Sequence, residues 1–358
     1  MAYTTIDNPE LYFQTKIYTG TGSSQAHTFD GSENMQPDFL WFKRRTGGAA
    51  SHALFNVITG VTKLLKANDS SAEVTTSVEL TSFDSNGFSL GSGSDAYTNQ
   101  NSGKTYVAWG WKAGTSFSND ASATSVGSID STGSINTAAG FSIITYSGDT
   151  SDAPSTVAHG LSQKPEMIFI KRRTLTGQWV VYNKTIDATD NLHLDSTDAR
   201  HDYLYFFNDT EPTSSVFTVG DDGESNKTSS NYVAYVFHSV KGYSKIGSYT
   251  GNGNADGTFV YTGFKPAWIM WKNTTNSAGS TNWHIVDNKR NTANVVDKLS
   301  FPNDSANEST VTSLDILSNG YKIKVSNGYI NTSGDTYIYM AFAESPLVNS
   351  NGIPNNAR

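Results

Sequence analysis

The stretches Pro37-Asp38-Phe39-Leu40-Trp41-Phe42-Lys43, Pro165-Glu166-Met167-Ile168-Phe169-Ile170-Lys171 and Pro266-Ala267-Trp268-Ile269-Met270-Trp271-Lys272 share one pattern. A proline opens each run, an unbroken apolar stretch follows directly or after one acidic residue, and a lysine closes it. Four or five continuously apolar residues read as a strand buried on both faces. A proline at the strand start costs no ladder hydrogen bond. Working outward, each run is preceded by Tyr-[Thr/Ser]-Gly, at Tyr18-Thr19-Gly20, Tyr146-Ser147-Gly148 and Tyr249-Thr250-Gly251, with tyrosine-to-proline spacings of 19, 19 and 17. After each run come a shorter apolar patch, an Asp-Ser turn (Asp69-Ser70, Asp195-Ser196, Asp304-Ser305) and a closing strand that begins at Tyr106, Tyr232 or Tyr337. Proline to closing tyrosine spans 69, 67 and 71 residues. So many landmarks in one order, three times, indicate an internal repeat.

Turn signals recur every 8–12 residues, and no long 3.6-residue period or heptad appears, so a coiled-coil shaft is excluded. The expected fold class is all-β, with three tandem β-sandwich modules and very little helix. The expected boundaries are 1–114 for module one, 115–139 for a Ser/Thr-rich linker or loosely held strand, 140–240 and 241–346 for modules two and three, and 347–358 for an extended Asn- and Pro-rich tail. Modules two and three abut without a spacer and are expected as a rigid pair. Module one is expected to be placed independently, as an attachment module.

Composition narrows the function classes. The chain has 358 residues, 25 Lys plus Arg against 33 Asp plus Glu, and a formal charge of -8. That sign argues against a nucleic-acid partner. Charged residues are 16% of the chain and aromatics 12%, so its polar surface rests on Ser, Thr, Asn and Gly, and its core is aromatic. There is no cysteine, which excludes disulfides and thiolate metal sites. The N-terminus lacks the pattern of a secretory signal, and no run of about 20 apolar residues exists for a membrane span.

Few residues point to chemistry. His193, Asp195, His201 and Asp202 form the densest His/Asp group, but without a completing ligand they read as a polar loop. Asp221-Asp222-Gly223-Glu224 lacks calcium-loop spacing, and Gly251 to Gly257 lacks the ending of a phosphate loop. Both read as turns. Lys43-Arg44-Arg45 and Lys171-Arg172-Arg173 read as strand ends in solvent whose charges block edge pairing. The seven tryptophans lie in apolar landmark runs and read as core. The remaining binding candidates are the loop tyrosines Tyr97, Tyr203 and Tyr329, as stacking surfaces for sugar. No catalytic, metal or cofactor residue is assigned.

Trp111-Lys112-Ala113-Gly114, Ala139-Gly140-Phe141 through Tyr146-Ser147-Gly148, Gly242-Tyr243 through Gly253, Gly263-Phe264-Lys265-Pro266-Ala267-Trp268 and Tyr337 through Glu344 together resemble a repeat family of tailed-bacteriophage and prophage virion structural proteins, common in marine phages. The resemblance covers nearly the whole chain and is strongest over 240–346. It brings no catalytic residues. Module one departs most, with Met35-Gln36-Pro37 where the family has Gly-Phe-x-Pro. The resemblance implies a tail-fibre or receptor-binding component that presents loops to the host surface. The alternatives are a capsid decoration or head-fibre protein bound to the coat lattice, and a surface-glycan depolymerase. The partners it implies are other tail or capsid proteins and host surface glycan, with no membrane insertion. The expected assembly is a homotrimer within the virion, made in the host cytoplasm without a signal peptide.

Overall fold

The computed structural model describes residues 4–93, 97–100, 103–149, 154–276 and 281–346, so the tail expected over 347–358 lies outside the described residues. The protein is almost all-β. Its helical elements are single turns at Pro9–Leu11, Ala121–Thr124 and Leu204–Phe207, and its strands form several antiparallel sheets.

Each proline-led run lies inside a sheet, between two partners. Phe39–Arg44, Met167–Arg172 and Phe264–Asn273 pair on one side with the closing strands Thr105–Trp111, Asn231–Phe237 and Thr336–Pro346. On the other side they pair with the patches Ala53–Asn56, Val180–Asn183 and His284–Asp287. The opening strands Phe13–Thr19, Phe141–Ser147 and Ser244–Thr250 lie beyond the closing strands. The order opening, closing, proline-led, patch therefore occurs three times. A smaller sheet accompanies each: Gln25–Thr28, Gly87–Leu90 and Leu80–Asp84; then Ser155–Ala158 with Val216–Val219; then Phe259–Tyr261, Gly320–Ile323, Ser309–Leu317 and Val296–Leu299. Pro37 and Pro165 precede their strands, whereas Pro266 lies within its strand, where the pairing with the closing strand shifts register.

The unbroken apolar character of the proline-led runs follows from two different cores. Alternate residues of a strand face opposite sides. Leu40 and Phe42, Ile168 and Ile170, and Ile269 and Trp271 each join a core local to their own segment. Phe39 and Trp41, Met167 and Phe169, and Trp268 and Met270 meet in one core that all three segments share. There Phe39 stands 4.3 Å from Tyr235, Trp111 5.5 Å from Trp268, and Phe237 6.1 Å from Phe342, centroid to centroid. Module one is thus not independently placed; its sheet packs on both of the others.

Residues 115–139 are not a free linker. Thr115–Asn119 and Ser131–Asn136 pair with each other, and the latter pairs with Phe141–Ser147, so both extend the second segment's large sheet.

The Tyr-[Thr/Ser]-Gly landmark has one explanation in all three places. The opening tyrosine stacks on the closing tyrosine across the strand pair: Tyr18 on Tyr106 at 5.2 Å, Tyr146 on Tyr232 at 5.0 Å and Tyr249 on Tyr337 at 5.0 Å. Its hydroxyl donates to the carbonyl of Thr98 (2.7 Å), Ser225 (2.6 Å) or Ile330 (2.9 Å). The next residue in each case is a buried asparagine, Asn99, Asn226 or Asn331, whose side-chain oxygen accepts from the backbone N–H of Thr21, Asp149 or Asn252. The landmark glycine lies against the following carbonyl. A Cβ at Gly20, Gly148 or Gly251 would stand 2.5, 2.4 or 2.1 Å from the oxygen of Gln100, Lys227 or Thr332, closer than a methyl group can approach.

Candidate functional site

The lysines that end the proline-led runs were expected at solvent-facing strand ends. Lys43, Lys171 and Lys272 are instead fully buried on the inner face, and Arg44 is also buried. The strand period explains this: the lysine is two residues beyond the inward Trp41, Phe169 or Met270 and shares their side. A buried ammonium must be hydrogen-bonded. Lys43 Nζ donates to Ala50 O (2.6 Å) and to Ser305 O (2.9 Å). Lys171 Nζ donates to Gly177 O and to Ser70 O (2.8 Å). Lys272 Nζ donates to Thr281 O (2.7 Å), Thr197 O (3.0 Å) and Asn273 O (3.1 Å). In every case one acceptor belongs to the Asp-Ser turn of another segment. Segment one reaches into three, two into one and three into two, so the contacts close a cycle.

Further contacts follow the same cycle. The backbone N–H of Glu73, Arg200 and Glu308 donates to the carbonyl of Arg173, Thr274 and Arg45, at 2.9, 3.0 and 3.1 Å. The indole N–H of Trp179 donates to Lys66 O at 2.8 Å and that of Trp283 to His193 O at 2.9 Å. In segment one His52 takes the tryptophan's position and accepts from Trp41 Nε1 at 2.8 Å. Two of the three junctions add bidentate ion pairs, Arg173 with Glu73 and Arg45 with Glu308. The junction of segments one and three also holds Arg290, fully buried between Asp287 and Glu308 and lying 5.2 Å over the Trp109 ring.

Burial pushes the Lys43 amine down to about 7 and those of Lys171 and Lys272 to about 8, against the pull of nearby carboxylates. Burial also raises Asp195, beside Lys171, to about 6.

The expected binding tyrosines do not converge. Tyr97 is half-buried with Lys66 Nζ 5.3 Å over its ring. Tyr203 is half-buried, donates to Asp222 at 3.0 Å and packs on Phe206. Tyr329 is buried, contrary to an exposed stacking surface, and donates to Thr312 O at 2.7 Å. It nevertheless lines a cleft of about 500 Å³ in the third segment. His193 and His201 stand 5.3 Å apart as rings, and the described residues contain no group of three metal-ligating side chains. In the acidic turn Asp222 accepts from Tyr203 and Glu224 from the Gln178 N–H. All seven tryptophans are buried, as read from their runs.

The chain matches, over residues 8–346, the model of a domain family of unknown function designated DUF7483, and it belongs to that family. No curated protein and no solved structure matches it.

Proposed function

We propose that the chain is three copies of one β-sandwich unit closed into a ring within a single polypeptide, and that it serves as a non-catalytic structural component of a tailed-phage particle that presents loops to the host surface. The observation that carries this reading is the cycle of buried lysines, each donating to the turn of the next segment. Such a cycle makes one rigid piece with approximate threefold form from one chain. Segments that share a core hold their scaffold fixed while outer loops vary, which suits recognition. The resemblance to phage virion repeats supports the same placement.

The test is immunogold labelling of purified particles with antibody against the purified protein, with adsorption to host cells measured in the presence of that antibody. Label at the tail with blocked adsorption is the expected result. Label over the head with normal adsorption replaces the receptor-binding reading with a coat-decoration one. Absence of label on intact particles overturns the virion placement.

A further inference from the structure

Each smaller sheet ends on a strand, Gln25–Thr28, Ser155–Ala158 or Phe259–Tyr261, that has a ladder partner on one side. His27, Val157 and Val260 are equivalent in these strands, pairing with Phe88, Phe217 and Tyr321. Ala26, Thr156 and Phe259 therefore correspond, as do Thr28, Ala158 and Tyr261. In the third segment Thr262 N–H donates to Asn319 O and Ile323 N–H to Thr258 O. Antiparallel pairing alternates, so the N–H and C=O of Phe259 and Tyr261 face away from their sheet. The opening strand lies close by, with Thr258 Oγ1 donating to Thr250 O at 2.9 Å. Its exposed Ser248 presents its backbone outward in the same way, because Gly251 N–H donates to Asp335 O.

The second segment shows what such an edge receives. Ser128 and Ile129 N–H both donate to Thr156 O, at 2.8 and 3.1 Å, and Thr156 N–H donates to Ser128 Oγ at 2.8 Å. Ser131 Oγ donates to Ala158 O at 3.0 Å. The chain then continues as Ser131–Asn136 along the opening strand. One extended stretch thus seals the edges of both sheets. The first segment guards its opening strand with side chains: Lys16 pairs with Asp30 at 2.6 Å, and Gln14 bonds to Gly31 N–H and Glu33 O. Charge on an edge strand discourages pairing. The third segment has no spacer ahead of its opening strand, and among the described residues no strand pairs with the outer side of Phe259–Tyr261. Where the other segments carry alanine and threonine, it exposes Phe259 at 42% and Tyr261 at 52%. An unprotected edge with exposed apolar side chains marks an interaction site.

We infer that this side of the third segment takes an added β-strand from a partner polypeptide, an extended uncharged stretch with apolar side chains beside Phe259 and Tyr261. Main-chain bonds to the edge supply the affinity, and the two rings supply the choice of sequence. In the second segment Ile129 bridges to Val157 and both are buried in the local core, so Ser128 and Asp130 flank it on the outer side. The partner's residues at those two places meet the rings and are apolar. A second copy of this chain does not fit as the occupant. Its strands within 115–139 are already engaged, and its matching edge is three residues long. The inference goes beyond the placement on a particle and stands or falls without it.

The test is fluorescence anisotropy of dye-labelled peptides titrated with the full chain. The probe is the peptide of residues 126–137 carrying Ser128→Val and Asp130→Val. The controls are the unaltered peptide and a valine probe N-methylated at the two amides that correspond to Ser128 and Ile129. The valine probe should bind about fivefold more tightly than the unaltered peptide, through cross-strand contacts with the rings. The N-methylated probe lacks the main-chain donors and should not bind. Phe259→Thr combined with Tyr261→Ala installs the residues of the second segment at two exposed positions. It should abolish the fivefold preference and leave the melting temperature unchanged. Absence of binding by the valine probe, equal binding by the N-methylated one, or a preference that survives the double variant overturns the inference. Concentration-dependent dimerisation of the unaltered chain that the double variant removes overturns it as well, in favour of a second copy as the occupant.

Discussion

At the scale of single residues, the buried lysines are the most informative groups. Each ammonium leaves water for two or three backbone carbonyls, and one of these belongs to a neighbouring segment. Lys272→Met keeps the length of the side chain but strands the carbonyls of Thr197 and Thr281. We expect it to lower stability by about 1–3 kcal/mol in urea unfolding. The lysines also fix a pH dependence. Their folded pKa values of about 7 to 8 lie below 10.5, the value for the unfolded chain. Between these limits the unfolded state binds more protons, so stability rises with pH. The useful window is pH 7 to about 9.5, before the tyrosines of the unfolded chain ionise near 10. Denaturation midpoints across that window should climb, and Lys43→Met should flatten the climb. On the acid side, burial holds His27, His159 and His193 at about 4, His284 at about 3 and His52 well below its usual value. The unfolded chain protonates these rings first, so stability falls as pH drops from 6.5 towards 4. Asp38 and Asp195, raised to about 6, act in the opposite sense below that pH. Glu224, also raised by burial, acts with them, and with five rings against three carboxyls the melting temperature at pH 4.5 should lie below that at pH 7.

At the scale of elements, the recurring tyrosine, glycine and asparagine form a lock between the opening strand and the loop before the closing strand. Gly148→Ala would drive a methyl group into the backbone of Lys227, 2.4–2.8 Å away. A loss of about 1–3 kcal/mol is expected, as for other overpacked sites. Tyr146→Phe removes only the bond to Ser225 O and should cost about 1 kcal/mol. Chemical denaturation of both variants checks the order. The glycine and tyrosine were legible as landmarks in the sequence, because their spacing recurs. The asparagine was not singled out, although Asn99, Asn226 and Asn331 stand 7, 6 and 6 residues before the closing tyrosine. Residues 115–139 were legible only as a linker or a loosely held strand, for a different reason. Their strands are Ser-, Thr- and Gly-rich with one largely exposed face, so no apolar alternation marks them. They are held by ladder bonds and by pairs such as Thr132 with Thr145, hydroxyl to hydroxyl at 3.0 Å. The lysines were misread because a charge after an apolar run looks like a strand leaving the core. Only the neighbouring segment's carbonyls make burial tolerable, and no local pattern announces them.

At the scale of the whole molecule, the strands were legible one at a time, while the way they close on one another was not. Spacing alone describes separate beads. The inner faces of all three proline-led strands contribute instead to a single core, rich in tryptophan and phenylalanine. That difference has a thermodynamic consequence. Independent modules would melt in overlapping steps, with a calorimetric enthalpy larger than the van't Hoff value. A shared core removes that independence, because unfolding any one segment exposes Trp111, Tyr235 or Trp268 of the sheets left behind. Scanning calorimetry should therefore show one transition with the two enthalpies equal. The cycle of lysine contacts also uses the Asp-Ser turn of every segment within one chain, so threefold form needs no second or third polypeptide. Sedimentation should accordingly report a single chain of 38.7 kDa in place of the expected homotrimer. Phe39→Ala lies at the meeting of segments one and two, 4.3 Å from Tyr235. It should cost about 3–5 kcal/mol and lower the one transition as a whole. A variant that instead split the thermogram into two peaks would show that the segments fold apart and that the common core is not what joins them.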